Sequence, residues 1–318
     1  MSSHFDSDLI RAYDVNGPRY TSYPTANLFT ESVNHKQFTT ALEALPSDAP
    51  LSLYVHVPFC ATICYYCACN KIITNNRQHA VNYLERLFHE VALLEPYLPS
   101  GHQIQQLHFG GGTPTYLTDD QFGSVFRILR DRFNLLDSGA RDFSIEIDPR
   151  TVDPARIAYL AGLGINRMSL GIQDFDPKVQ LAVNRLQSEA ETAAIMEAAR
   201  ENGIKSLSVD LIYGLPQQTP SRFERTLKRV IGLRPDRISL YSYAHLPNRF
   251  KTQKQIKENQ LPNAPAKLRL LKLAIDAFTD AGYVHIGMDH FALPEDELVL
   301  AQRSGSLHRN FQGYTTHG

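Results

Sequence analysis

The sequence has no excess of either charge: 32 lysines and arginines stand against 33 aspartates and glutamates in 318 residues. A chain so balanced lacks the global basic field of a nucleic-acid binder, although local arginines remain available for an acidic ligand. It has no window near the ~20 uninterrupted apolar residues of a membrane span. Its start, Met1-Ser-Ser-His-Phe-Asp-Ser-Asp8, lacks the basic-then-apolar order of a signal peptide. These absences predict a soluble cytoplasmic protein with no nucleic-acid or membrane partner. Low-complexity tracts and short repeats are missing too. Cysteine is confined to one stretch: all four, Cys60, Cys64, Cys67 and Cys69, fall within ten residues. Disulfides there would close only tiny loops in a compartment that reads as reducing, so the grouping points to a metal. What is present is apolar material, 43% of the chain, enough for one large domain or a domain with appendages.

Residues 1–50 read as an irregular, polar arm. From Leu51 short apolar runs, Leu51–Val57, Ile104–Phe109, Phe143–Ile147, Ile165–Leu170, Ser206–Ile212 and Arg237–Tyr241, alternate with helical patterns. Val81, Leu84, Leu87, Val91 and Leu94 recur at three- and four-residue steps. Thr118-Asp-Asp-Gln121 is a capping-box signature ahead of Phe122, Val125, Phe126, Leu129 and Phe133. Thr219-Pro220 opens another helix with Phe223, Leu227, Val230 and Ile231 on one stripe. A last pattern, about 266–280, precedes a strand near Tyr283–Ile286. Six βα units predict a parallel sheet covered by helices, too few for a closed eight-stranded barrel, hence a partial (β/α)6 barrel. In such folds the site gathers at the C-terminal ends of the strands. There lie the cysteine loop, Gly110-Gly-Gly-Thr113, Glu146, Gln173, Asp210 and Tyr243-Ala-His245.

Cys60-x3-Cys64-x2-Cys67 offers three thiolates from one loop, enough to hold three irons of a cubane and leave the fourth iron open to an external ligand. The alternative is a zinc site using all four thiolates, for which Cys67-x-Cys69 is cramped.

The run Tyr54-Val-His-Val-Pro-Phe-Cys60 through Cys67-Ala-Cys69-Asn70 resembles the radical S-adenosylmethionine (SAM) superfamily, and in particular its oxygen-independent coproporphyrinogen III oxidases. Pro18-Arg-Tyr-Thr-Ser-Tyr-Pro-Thr25, His108-Phe-Gly-Gly-Gly-Thr-Pro-Thr115, Glu146-Ile-Asp-Pro-Arg150, Gly171-Ile-Gln-Asp-Phe175 and Asp210-Leu-Ile-Tyr-Gly-Leu-Pro216 share the resemblance. So do Tyr243-Ala-His-Leu-Pro247, Gly287-Met-Asp-His-Phe291 and His308-Arg-Asn-Phe-Gln-Gly-Tyr314, so it covers nearly the whole chain. The resemblance implies a barrel of the radical SAM type and conversion of two propionates of coproporphyrinogen III into vinyl groups, giving protoporphyrinogen IX. It implies a [4Fe–4S] cluster on Cys60, Cys64 and Cys67, and two SAM molecules per chain. Tyr54, Gly111 and Glu146 would meet the first SAM; Tyr66, Gly112, Thr113, Gln173, Arg185, Asp210 and Ala244 the second. A low-potential donor of flavodoxin or ferredoxin type and a monomeric chain are also expected.

Arg19 and Arg309 are candidates for substrate carboxylates, since arginine binds them bidentately. Cys69 and the histidines His56, His108, His245 and His290 receive no role. The expected division is an arm over 1–50, the barrel over 51–290 and a truncated C-terminal region over 291–318. The family continues into a helical domain beyond that point, so full turnover by this piece is doubtful. The rival reading is a haem-binding chaperone on the same kind of barrel. Those relatives generally lack both the Pro-Arg-Tyr-Thr-Ser-Tyr-Pro arm and a cysteine at the Cys69 position.

Overall fold

A computed structural model describes residues 6–13, 25–46, 48–98, 102–310 and 313–316. Six strands, β1 (Leu51–Val57), β2 (Gln103–Gly111), β3 (Asp142–Ile147), β4 (Arg167–Gln173), β5 (Ser206–Tyr213) and β6 (Arg237–Ser242), pair in parallel in chain order. Two more, β7 (Val284–Gly287) and β8 (His290–Ala292), continue the sheet antiparallel in the order β6-β8-β7, and the sheet stays open. The crossover helices are α1 (Gln78–Leu94), α2 (Asp119–Arg132), α3 (Pro154–Gly162), α4 (Glu189–Glu201), α5 (Pro220–Leu233) and α6 (Ala264–Asp280). This is the expected partial (β/α)6 barrel.

Strand alternation divides the two faces. On β2, Leu107 and Phe109 are buried, and Phe109 packs against Phe122 and stacks on Phe126 of α2. Its alternate residues, Gln106, His108 and Gly110, line the concave face with Tyr54 and His56 of β1. The capping box at Thr118 is formed in both directions, with Gln121 N donating to Thr118 Oγ1 and Thr118 N to Gln121 Oε1. Thr219 caps α5 with Pro220 in its first turn. Val81, expected on the buried stripe of α1, is 39% exposed, while Leu84 and Val91 are buried. Ala80, one residue earlier, is fully buried instead, so the inward stripe of α1 runs through Ala80, Leu84 and Val91 and leaves Val81 at its edge. Two helices, Ser7–Tyr13 and His35–Glu43, interrupt the arm expected to be irregular; the second starts from an Asn34–Gln37 capping box.

The N-terminal end of the barrel is closed by ions. On α7 (Glu297–Ser304), Glu297 reaches Arg167 of β4 at 2.7 Å and Arg237 of β6 at 2.8 Å. Asp142 of β3 holds Arg167 at 2.8 Å, and Asp296 holds Arg237 at 2.9 Å. Among the described residues no helix is long and apolar enough to cross a membrane.

Candidate functional site

After β1 the chain makes a short parallel pairing, Phe59–Cys60 with Ile72–Ile73, which closes the base of the cysteine loop. Side chains from elsewhere hold the loop's carbonyls, Asn184 on Ile63, Gln253 on Tyr66 and Thr252 on Cys67, and the loop's own Lys71 holds Cys67 and Cys69. The backbone is therefore fixed by the protein itself. His56 donates from Nε2 to the Asn70 carbonyl, so its Nδ1 accepts the Tyr54 hydroxyl at 2.9 Å.

The three expected iron-binding thiols are half-buried and Cys69 is exposed. Cys60 Sγ lies 3.3 Å from Thr113 Oγ1. Cys64 Sγ faces two guanidiniums, Arg150 Nη2 at 3.6 Å and Arg185 Nη1 at 3.7 Å. Cys67 is pulled down to about 6, because hydrogen bonds from Cys69 and the Lys71 ammonium outweigh its burial. Burial pushes the Cys60 thiol up, against the Thr113 hydroxyl. The same hydrogen bond that lowers Cys67 pushes Cys69 up, so Cys69 stays a thiol. Among the described residues no group of three or more His, Cys, Asp or Glu is arranged to hold a single metal ion. Three thiols spread around one loop, with cations at two of them, suit a multi-iron cluster.

The glycines are forced by close approach. A Cβ on Gly112 would lie 2.7 Å from Pro58 O and 2.9 Å from Cys60 Sγ; one on Gly111, at φ +127, would lie 2.5 Å from Val57 O. No other residue fits there. Gly111 N donates to Glu146 Oε2 at 3.1 Å, and Glu146 Oε1 sits 3.6 Å from His108 Nε2. Tyr54 stacks on His108 at 5.6 Å, and burial with the Glu146 charge pushes its hydroxyl up to about 12. Tyr54, Gly111 and Glu146 thus meet, with His108 joining them.

On the other side of the cysteine loop, Gly112 and Thr113 touch Cys60, and Arg185 organises the rest. It is 6% exposed, donates to Gly171 O at 2.6 Å and to Asp148 Oδ2 at 3.0 Å, and its buried Nε has no partner. Burial pushes the Tyr66 hydroxyl up, opposed by Arg185. Gln173 ends β4 at φ 66, where the register shifts, and its amide packs over Gly171 beside Arg185. A left-handed glutamine at a strand end is the kind of strain found at binding sites. Asp210 accepts from Ser169 Oγ at 3.3 Å. Its carboxyl is pushed up to about 7 by burial and by Glu146, against His290, Ser169 and Arg185. Ala244 is exposed on the loop leaving β6 and shares only the rim with the others. Arg309 is exposed with its guanidinium over Tyr314, 5.7 Å from the ring centre; Arg19 lies outside the described residues. A buried guanidinium with its Nε unpartnered, a glycine cradle and a carboxylate pair at one strand rim suit a zwitterionic amino-acid ligand with a cationic centre.

Sequence reasoning missed Asp148 and Arg150. The signal was available: Asp148-Pro149 is a cap followed by proline, and it opens the short turn Pro149–Thr151 that carries Arg150 straight after β3. Arg150 grips Asp148 through Nε at 3.0 Å and Nη2 at 2.7 Å. Burial works to raise Asp148, but Arg185 and Arg150 outweigh it and hold the carboxyl below its usual range.

Comparison with known proteins matches residues 54–230 to the radical SAM superfamily. The chain is 52% identical over 315 residues to the oxygen-independent coproporphyrinogen III oxidase of Pseudomonas aeruginosa, covering 99% of this chain and 68% of that protein. It is 49% identical over 314 residues to the enzyme of that name from Escherichia coli, again 99% and 68%. The solved structure of the E. coli coproporphyrinogen III oxidase HemN, described as a radical SAM enzyme, superposes with a TM-score of 0.94. The identity there is 46%, covering 100% of this chain and 71% of that one.

Proposed function

The chain belongs to the radical SAM superfamily and, within it, to the oxygen-independent coproporphyrinogen III oxidases, and on that premise we propose the reaction and the residues that serve it. It is an oxidoreductase of porphyrin and haem biosynthesis that acts on coproporphyrinogen III, using a [4Fe–4S] cluster and SAM. Each of two propionates loses one hydrogen atom from the carbon next to its ring, carbon dioxide from its end and one electron, leaving a vinyl group.

When bound, the cluster and SAM supply the 5′-deoxyadenosyl radical, which removes a hydrogen atom that no side-chain base could take as a proton. The protein's part is to bind, orient and exclude water. Cys60, Cys64 and Cys67 would hold the irons. Tyr54, Gly111 and Glu146 would bind the first SAM, and Tyr66, Gly112, Thr113, Gln173, Arg185, Asp210 and Ala244 a second. The observation that carries this is the convergence of three half-buried thiols with Glu146 on one side and an orphaned Arg185 Nε on the other. The division into 1–50, 51–290 and 291–318, a flavodoxin- or ferredoxin-like donor, a monomeric cytoplasmic chain and the lack of nucleic-acid and membrane partners belong to the same proposal.

The test is anaerobic reconstitution, reduction and incubation with coproporphyrinogen III. Methionine, 5′-deoxyadenosine and the divinyl product should appear together. Tight haem binding with no product would instead favour a haem chaperone.

A further inference from the structure

We propose that Arg150 sets the reduction potential of the cluster through Cys64, with Asp148 setting how much of its charge is felt. This rests on the cluster reading above and concerns a residue to which that reading gives no part.

Arg150 sits in the turn Pro149–Thr151 that follows β3. Its fork is locked: Nε and Nη2 both meet the Asp148 carboxylate, and its backbone N–H donates to Asp148 Oδ1 at 3.1 Å. With the fork fixed, Nη2 reaches Cys64 Sγ at 3.6 Å. Arg185 comes from a different part of the rim, meets the same Asp148 Oδ2, and places Nη1 3.7 Å from the same sulfur. One carboxylate thus aims two guanidiniums at one thiolate. The side chains of Arg150, Asp148 and Arg185 are all largely buried, so water screens the arrangement little.

The charges of the triad sum to one net positive. Reduction of a cluster by one electron, supplied by a low-potential donor protein or by dithionite in the test, adds one negative charge next to it. A fixed cation and N–H groups directed at a ligand sulfur stabilise that added charge and raise the potential. Cys60 has a hydroxyl and Cys67 a thiol and an ammonium, so the two-guanidinium arrangement belongs to Cys64. A purely mechanical strut between β3 and the cysteine loop would need the Asp148 fork but no N–H aimed at sulfur.

The test compares wild type, Arg150→Gln, Arg150→Lys and Asp148→Asn, each reconstituted anaerobically. Iron and sulfide per chain are counted, and the midpoint is measured by a dithionite titration followed by electron paramagnetic resonance, without SAM. Arg150→Gln should keep its iron and move the midpoint to more negative values. Arg150→Lys should move it less, and Asp148→Asn should move it the opposite way, since it uncovers the cations. Full iron with an unmoved midpoint overturns the inference, and so do shifts of one sign in all variants or iron loss in both Arg150 variants. A wild type that takes up no iron sinks the cluster reading itself, and is distinguished by that count.

Discussion

Asp210 brings a carboxylate to the rim end of β5 beside Glu146 and Tyr241, while His290, Ser169 and Arg185 pull its proton off. With a folded pKa of about 7 against an ordinary value of about 3.9, the folded chain keeps a proton that the unfolded chain has lost in between. The neutral form carries no penalty below that window, so stability falls as pH rises through it and the full cost is present above 7. About three units would be worth at most ~4 kcal/mol; the side chain is not wholly shut off from solvent, which brings the expected figure to about 1–2 kcal/mol. Asp210→Asn should therefore melt at the same temperature as wild type near pH 4 and a few degrees higher at pH 8. Equal melting temperatures at both pH values would contradict the buried charge. The same substitution should weaken SAM binding, because it removes an acceptor from the rim.

Among the elements, the cysteine loop depends most on help from outside itself. Gln253, 1% exposed, donates to Tyr66 O at 3.1 Å and accepts Leu246 N at 2.6 Å, tying the loop after β6 to the loop after β1. Gln253→Leu keeps the volume but removes both bonds, leaving the Tyr66 carbonyl and the Leu246 N–H to water, a cost of about 1 kcal/mol. The expected result is a protein that still folds but loses iron faster to a chelator than wild type. Unchanged iron release would show that the short Phe59–Cys60 pairing alone holds the loop. The helices differ in how visibly their sequences announce them. α2 and α5 put large side chains at regular steps and carry recognisable caps. α4 buries Thr192, Ile195, Met196, Ala198 and Ala199, mostly small residues, so its hydrophobic period is faint.

For the molecule as a whole, Glu297 joins α7 to two strands that are not neighbours, β4 and β6. Burial works against its charge, but Arg167 and Arg237 hold its carboxyl below the usual range. Each arginine keeps a second carboxylate, Asp142 or Asp296, and Glu297 is partly exposed, so Glu297→Gln should cost about 1–2 kcal/mol, below the full cost of breaking a buried pair. Calorimetry should show a lower melting temperature with cluster content unchanged, since the site lies at the other end of the strands. A loss of iron in this variant would mean that the two ends of the barrel are coupled.

The order of six βα units, the cysteine spacing and the glycine stretch were legible in the sequence, because each is a local pattern: period, cap, spacing. They determined the barrel, the end of it that carries the chemistry and the loop that holds the thiols. The tertiary structure alone decided which charges meet. Arg150 and Arg185 are far apart in sequence, yet both reach Asp148 and Cys64. That meeting depends on strand register and on the bulge at Gln173, which sum small backbone offsets across several strands and leave no trace in any short window of residues.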